Sequence, residues 1–218
     1  VKPVEEGFDI IPHAQCFNGG TAIDEKTNTG IAGLYAAGEA AGGAHGADRL
    51  GGAAIAATQV FGSIAGAESA IFAAQQKTIV PLSDRDLKKT LEEQFDRAGG
   101  GLINIQEAMA EVRRIMWQCG AIVRSEDRCK EGLARIAAIE SAFNPIRHYE
   151  NRTAIRHVAA LNSMILTSKA ILTAIQERRE SRGPHYREDY PFPQQAYENR
   201  IRLHKEGPRL ITEKYPVQ

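Results

Sequence analysis

Glu39, His45 and Arg49 bring a carboxylate, an imidazole and a guanidinium into one short segment that is otherwise mostly alanine and glycine. An acid just after an apolar run can accept hydrogen bonds from sugar or ribityl hydroxyls. A guanidinium can hold a dicarboxylate through two parallel bonds. Each residue also has an ordinary role open to it: Glu39 capping a turn or helix amide, Arg49 paired with Asp48 or Glu39, His45 bonded to its own loop. The surrounding glycines, from Gly33 through Gly38, Gly42, Gly43 and Gly46 to Gly51 and Gly52, let the main chain come close to a ligand because no Cβ stands in the way.

Such residues must be positioned, and the flanking sequence predicts how. Residues 8–17 read as extended, Asp24 to Gly30 as a polar hairpin turn, and Ile31 to Ala37 as a short buried strand with Glu39 at its carboxyl end. A helix is predicted from about Gly52 to Gln76. Its small residues (Ala53, Ala54, Ala56, Ala57, Gly62) suit close packing on a sheet, and its first N–H groups would point back at the glycine-rich turn. The apolar run around 53–74 contains Gln59, Gly62, Glu68 and Ser69, so it predicts no membrane span.

The texture changes near 77–83. Ser83 reads as an N-cap, and helices are predicted over roughly 84–97, 105–118 and 125–142, with a Gly99–Gly101 break and a stop at Gly120. An Asn144-Pro145 break precedes a long helix ending near Arg182. On that helix Ile155, Val158, Ala159, Asn162, Ile165, Leu166 and Lys169 share one face, while Trp117 and Cys119 are expected in the core. From Gly183 onward the chain holds five of its nine prolines and reads as an irregular tail.

Composition narrows the function classes. Lys plus Arg and Asp plus Glu balance at 27 each, so no basic field calls for nucleic acid. Cys16, Cys119 and Cys129 form an odd set without a Cys-x-x-Cys pair, which argues against a disulfide framework or a metal site and points to a reducing compartment such as the cytoplasm.

Two segments carry a family resemblance. Gly33-Leu-Tyr-Ala-Ala-Gly-Glu39 followed by His45-Gly-Ala-Asp-Arg49-Leu-Gly-Gly52, and far downstream Glu180-Ser-Arg-Gly-Pro-His-Tyr-Arg-Glu-Asp-Tyr-Pro191, resemble the flavoprotein subunits of succinate dehydrogenase and fumarate reductase. The resemblance spans about residues 8–191 and implies an α+β fold. Residues 1–78 would be the C-terminal piece of an FAD-binding α/β domain, with short strands, a cofactor-facing helix and the end of a capping domain at 1–17. Residues 79–182 would be a three- to four-helix bundle-like domain, and 183–218 the irregular tail.

The resemblance also implies roles. FAD would be the cofactor, with Glu39 on its ribityl or ribose part and Gly38, Ala54 and Ile55 contacting it through the backbone at the helix start. Arg49 would be the catalytic substrate clamp, assisted by His45, on a small dicarboxylate-type substrate. An iron–sulfur electron-transfer subunit would be the partner, and any membrane attachment would fall to other subunits. The Glu180–Pro191 segment would lock against the FAD domain or a partner.

Departures from the family pattern have chemical consequences. Asp48 replaces an Asn, and Ala53-Ala54-Ile55 replaces Asn-Ser-Leu, so side-chain contacts there are lost while backbone donors survive. Gln15 stands where relatives have a substrate-binding His, and a neutral donor forgoes a charge-assisted contact of roughly 1.5–3 kcal/mol. His13, on the same face of a strand, is the candidate replacement. No Gly-x-Gly-x-x-Gly follows an opening strand. The chain is therefore expected to be part of a longer flavoenzyme, inactive alone. Two alternatives remain open: an interaction module with a vestigial flavin segment, or a flavoenzyme of the aspartate oxidase or adenylylsulfate reductase type.

Overall fold

The structure, a computed structural model, describes residues 15–76, 83–86, 89, 101–144, 152–207 and 209–216, and side chains from 156 onward in the helix that begins at 152. His13, the extended stretch 8–14, most of the helix expected over 84–97 and the break at Pro145 lie outside the described residues. The chain divides into two compact units, Val1–Gln75 and Gln76–Gln218.

In the first unit a strand over Ile31–Ala37 does not form. Leu34 is 48% exposed, and the only pairing there is a single antiparallel bridge between Asn28 and Tyr35. A strand needs a ladder partner. The ladder falls elsewhere, where β1 (Thr21–Ala22) pairs in parallel with β2 (Ala41–Gly42). Glu39 therefore sits in a 3-10 turn, Gly38–Ala40, rather than at a strand end. The predicted polar turn is present: Asp24 Oδ1 accepts from the N–H groups of Lys26 (2.9 Å) and Asn28 (2.8 Å). Thr27 is buried behind it at φ 63°, held by its N–H to Asp24 O and by Ala36 N–H to its own carbonyl.

Helix α1 (Ala53–Gln75) comes next, as its composition predicts, but it buries no residue. Its main partner among the described elements is the Gly38–Ala40 turn. At 23 residues and a mean hydropathy of 1.2 it is also long and apolar enough to cross a membrane, which its Gln59 and Glu68 did not suggest.

The second unit has a core. Ser83 caps residues 84–86, accepting from Asp86 N–H and donating to the Asp86 carboxylate. Asn104 caps α2 (Ile105–Ile115) by accepting from the N–H groups of Gln106 and Glu107. The chain then widens into one π turn, Met116–Gly120. That turn shifts the helical phase, so Cys119 is buried while Trp117 is left 52% exposed, against expectation. Strand β3 (Val123–Arg124) leads into α3 (Glu126–Ala142) and then α4 (Arg152–Glu177).

On α4 the buried residues are Val158, Leu161, Ile165, Ser168, Leu172 and Ile175, a 3-4-3-4-3 spacing that keeps one stripe against two neighbours. Leu166, expected on that stripe, is 51% exposed. The stripe meets Met109, Val112 and Ile115 of α2 and Cys129 and Ile136 of α3 in one apolar cluster. Close approach of α3 requires Gly132, where a Cβ would lie 2.9 Å from Cys119 Cβ and 3.0 Å from Leu172 Cδ1.

Helix α4 ends at Glu177, short of Arg182. The chain beyond it is not an irregular tail. Strand β4 (Tyr186–Arg187) pairs in parallel with β3, and β5 (Asn199–Glu206) forms an eight-residue antiparallel hairpin with β6 (Arg209–Pro216). Proline suggested an irregular chain, but Pro216 stands at the last position of its strand, where no further ladder donor is needed. Gly207 makes the turn at φ 57°.

Candidate functional site

The glycine-rich segment folds into a cleft of about 330 Å³ within the first unit. Its walls are Cys16, Phe17, Gly38, Glu39, His45, Ala54, Ile55, Thr58 and Gln59. Five residues singled out in the sequence, Gly38, Glu39, His45, Ala54 and Ile55, thus meet around one space.

The local geometry has clear causes. Gly38 turns the chain at φ 67°, and a Cβ there would touch Thr58 Oγ1 at 3.4 Å, so the turn lies flat on the first turns of α1. One Glu39 oxygen, Oε1, accepts the Phe17 N–H at 2.8 Å. The segment from Phe17 onward is pressed against the 38–42 turn. A Cβ on Gly20 would lie 2.6 Å from Ala40 O, and one on Gly42 would lie 2.6 Å from Gly20 N. Only glycine permits that approach.

At the start of α1 the N–H groups of Ala53 and Ile55 are taken by the carbonyls of Leu50 and Gly52, both at 3.1 Å. The Ala54 N–H, on the cleft wall, has no acceptor among the described residues. The helix terminus therefore offers fewer free donors than its sequence suggested, because the Gly51–Gly52 turn closes back on itself.

Arg49 and Gln15 do not line the cleft. Arg49 is half-buried and makes no ion pair or hydrogen bond among the described residues, so its ordinary role as a partner of Asp48 or Glu39 is not realised. Gln15 is exposed on the segment leading into Phe17. Glu39, by contrast, does cap a backbone amide as its ordinary role would have it, yet with one oxygen only.

The cleft suits a long, partly polar cofactor. A carboxylate oxygen, a free amide, a hydroxyl and a carboxamide line it beside Phe17 and Ile55, and glycine cradles let a bulky group approach the backbone. Thr58 and Gln59 escaped the sequence reading, although each lies one turn beyond Ala54 and Ile55, on the same helix face. Phe17 and Cys16 carried no signal, because they arrive from a distant segment. Among the described residues no cluster of His, Cys, Asp and Glu could hold a metal ion.

The charged segment Glu180–Pro191 takes a different part. Glu180 is fully buried, and its carboxylate accepts from Arg182 Nε and Nη2 (both 2.9 Å), Arg178 Nη1 (2.7 Å) and the Gln194 N–H (2.8 Å). Burial works to raise its pKa, but these bonds outweigh burial and leave it at about 2. Arg187, also fully buried, grips Asp189 with two bonds of 2.7 Å and donates to the Ile175 carbonyl at the end of α4. Asp189 in turn accepts the Glu126 N–H at 2.8 Å, capping α3 from across the chain. The segment is thus a lock inside the helical unit itself. His185 completes it: Arg124 donates to Nδ1 (2.9 Å), which leaves Nε2–H to donate to Arg178 O (3.1 Å). Burial lowers its pKa to about 4, so it is neutral.

The family described as "FAD binding domain" matches residues 6–55, which hold Glu39, His45, Arg49 and the start of α1. The family "Fumarate reductase flavoprotein C-term" matches 109–203, the helical core and its lock. An uncharacterised FAD-dependent oxidoreductase of Methanocaldococcus jannaschii is 35% identical over 90% of this chain and 36% of its own length. A chain of the fumarate reductase (CoM/CoB) from Methanothermobacter marburgensis is 34% identical over 92% of this chain and 37% of its own. L-aspartate oxidase of Yersinia pestis is 30% identical over 86% of this chain and 34% of its own. The Sdh1 complex of Mycobacterium smegmatis superposes with a TM-score of 0.74 at 26% identity, over 91% of this chain and 35% of the other. The chain spans about a third of the length of the relatives it matches. With one matching family over the segment that holds Glu39 and His45, a second over the helical core and its lock, and a shared fold across nine-tenths of its length, the chain belongs to the succinate dehydrogenase and fumarate reductase family of flavoprotein subunits.

Proposed function

We propose that this chain forms the C-terminal share of an FAD-dependent oxidoreductase that moves a hydride between flavin and a carboxylate-bearing substrate. The observation that carries this reading is the cleft itself, which gathers Gly38, Glu39, His45, Ala54 and Ile55 onto one glycine-lined wall. FAD, when bound, supplies the atom that gives or takes the hydride. The chain's own residues do the rest. Glu39 would accept from cofactor hydroxyls, the Ala54 N–H would donate to the flavin, and His45 would close the wall. Arg49, a guanidinium free of protein partners among the described residues, would clamp a substrate carboxylate bidentately and hold it still for transfer. An iron–sulfur subunit is the proposed electron partner.

A second substrate class is favoured by one residue. Gln15 carries no charge where the family resemblance would put a substrate-binding histidine, and an aspartate oxidase is among the similar proteins. The test uses the full-length, FAD-loaded flavoprotein that contains this chain, with fumarate as acceptor or aspartate as donor, whichever turns over. Arg49→Lys keeps the charge and loses the fork, so kcat/KM should fall by at least two powers of ten, about 2.7 kcal/mol, with flavin content unchanged. Near-normal kcat/KM in Arg49→Lys refutes the clamp.

A further inference from the structure

Two segments with different proposed duties lie against each other, and beside the cleft one carboxylate ties them. Gln15 to Gly20 is the stretch that would face substrate, and Gly38 to Gly42 is the stretch that would face cofactor. They are laid against each other by the β1–β2 pairing, by the glycine-only contacts of Gly20 and Gly42, and by Asn18 Nδ2 donating to Ala47 O at 3.5 Å. The link nearest the cleft is the Phe17 N–H to Glu39 Oε1 bond of 2.8 Å. It uses one carboxylate oxygen. Glu39 lines the cleft, and its Oε2 has no partner among the described residues.

We propose that Glu39 is a shared positioning residue: Oε1 fixes the Phe17 amide, while Oε2 takes a hydroxyl of the FAD sugar or ribityl chain, so that filling the cofactor cleft also orders the Gln15–Gly20 segment. The inference rests on the proposed function, and adds to it a direction of coupling: cofactor first, substrate segment second. The physical basis is that a carboxylate held at both oxygens cannot rotate. Each partner restricts χ3, so the second bond is formed at lower entropic cost once the first is in place. Glu39 is exposed, so a carboxylate held at Oε1 alone still has Oε2 free to take a second partner.

The test compares wild type, Glu39→Gln and Glu39→Ala, each in the full-length flavoprotein that contains this chain, by amide hydrogen exchange of the peptide covering residues 15–20, with and without saturating FAD, alongside flavin content. In wild type, FAD should slow exchange of this peptide at least about tenfold, the scale of one charge-assisted bond. Glu39→Gln retains an amide oxygen for Phe17 and should retain most of that protection even as flavin content falls. Glu39→Ala should lose the protection at saturating FAD. Because a side chain needed only for folding would give no difference between Gln and Ala at equal flavin loading, the Gln variant separates positioning from structure. Protection of residues 15–20 that responds to FAD equally in wild type and Glu39→Ala overturns the coupling while leaving the flavin reading intact. If Glu39→Ala takes up no flavin at all, loss of the protection in Glu39→Gln at full loading overturns it instead. A wild-type protein that takes up no FAD overturns the proposed function and the coupling with it.

Discussion

Replacing Arg187 should unfasten the helical unit more than any other single change outside its apolar core. The side chain is fully buried, with two bonds to Asp189, one of 2.6 Å to the Ile175 carbonyl and a longer contact with Glu126 at 3.5 Å. Arg187→Met fills similar space with an unbranched chain, so the cavity is small and the loss is mostly electrostatic. Breaking a buried pair from one side typically costs about 3–5 kcal/mol, because an unpaired charge stays behind. Here Asp189 and Glu126 retain side-chain exposures of 28% and 26%, so both can regain water, which places the expected loss near ~3 kcal/mol. Asp189→Asn, which keeps an acceptor for the Glu126 N–H, should cost about 1.5–3 kcal/mol. The double variant should fall short of the sum by about 1 kcal/mol or more, since both changes remove the same contact. Urea unfolding followed by far-UV circular dichroism and by Trp117 fluorescence measures all three. An Arg187→Met protein within about 1 kcal/mol of wild type would show that the lock is ornamental to stability and that the apolar cluster alone holds the unit.

Gly132→Ala should destabilise, although alanine is worth about 1 kcal/mol more than glycine in a helix interior. The new methyl would meet Cys119 Cβ at 2.9 Å, so overpacking of about 1–3 kcal/mol wins, and a thermal melt that rises instead would refute the close α3 contact. Acid should weaken the helical unit in two stages. His185 has a folded pKa lowered to about 4, so between there and its ordinary value near 6.5 the unfolded chain binds a proton that the folded one refuses, and stability falls as pH falls through that window. Glu180 and Asp189, both held at about 2, contribute stability that is complete above their ordinary values near 4 and is lost as pH drops toward 2. His185→Gln should flatten the upper stage only. An unchanged profile in that variant would mean that His185 titrates normally.

The sequence by itself determined most of what is local. Small-residue composition and the glycine and asparagine breaks placed α1 and α3 within a residue and the end of α2 within three, since a helix satisfies its own backbone. The Gly-rich segment pointed to close backbone approach, and the structure has it where Gly20 and Gly42 pack against each other and where Gly38 lines the cleft. Tertiary structure alone decided what depends on distant partners. The expected strand at Ile31–Ala37 did not form because pairing is settled between segments, and Thr21–Ala22 found Ala41–Gly42 instead. Trp117 turned outward because one π turn, invisible in composition, rotated the helix end. The Asn199–Pro216 hairpin was hidden by prolines whose positions, not number, decide whether a ladder survives. Glu180 and Arg187 were expected in a lock against the FAD domain or a partner. Only the fold buries them, and it can do so because each charge finds its full set of partners from segments the sequence leaves far apart.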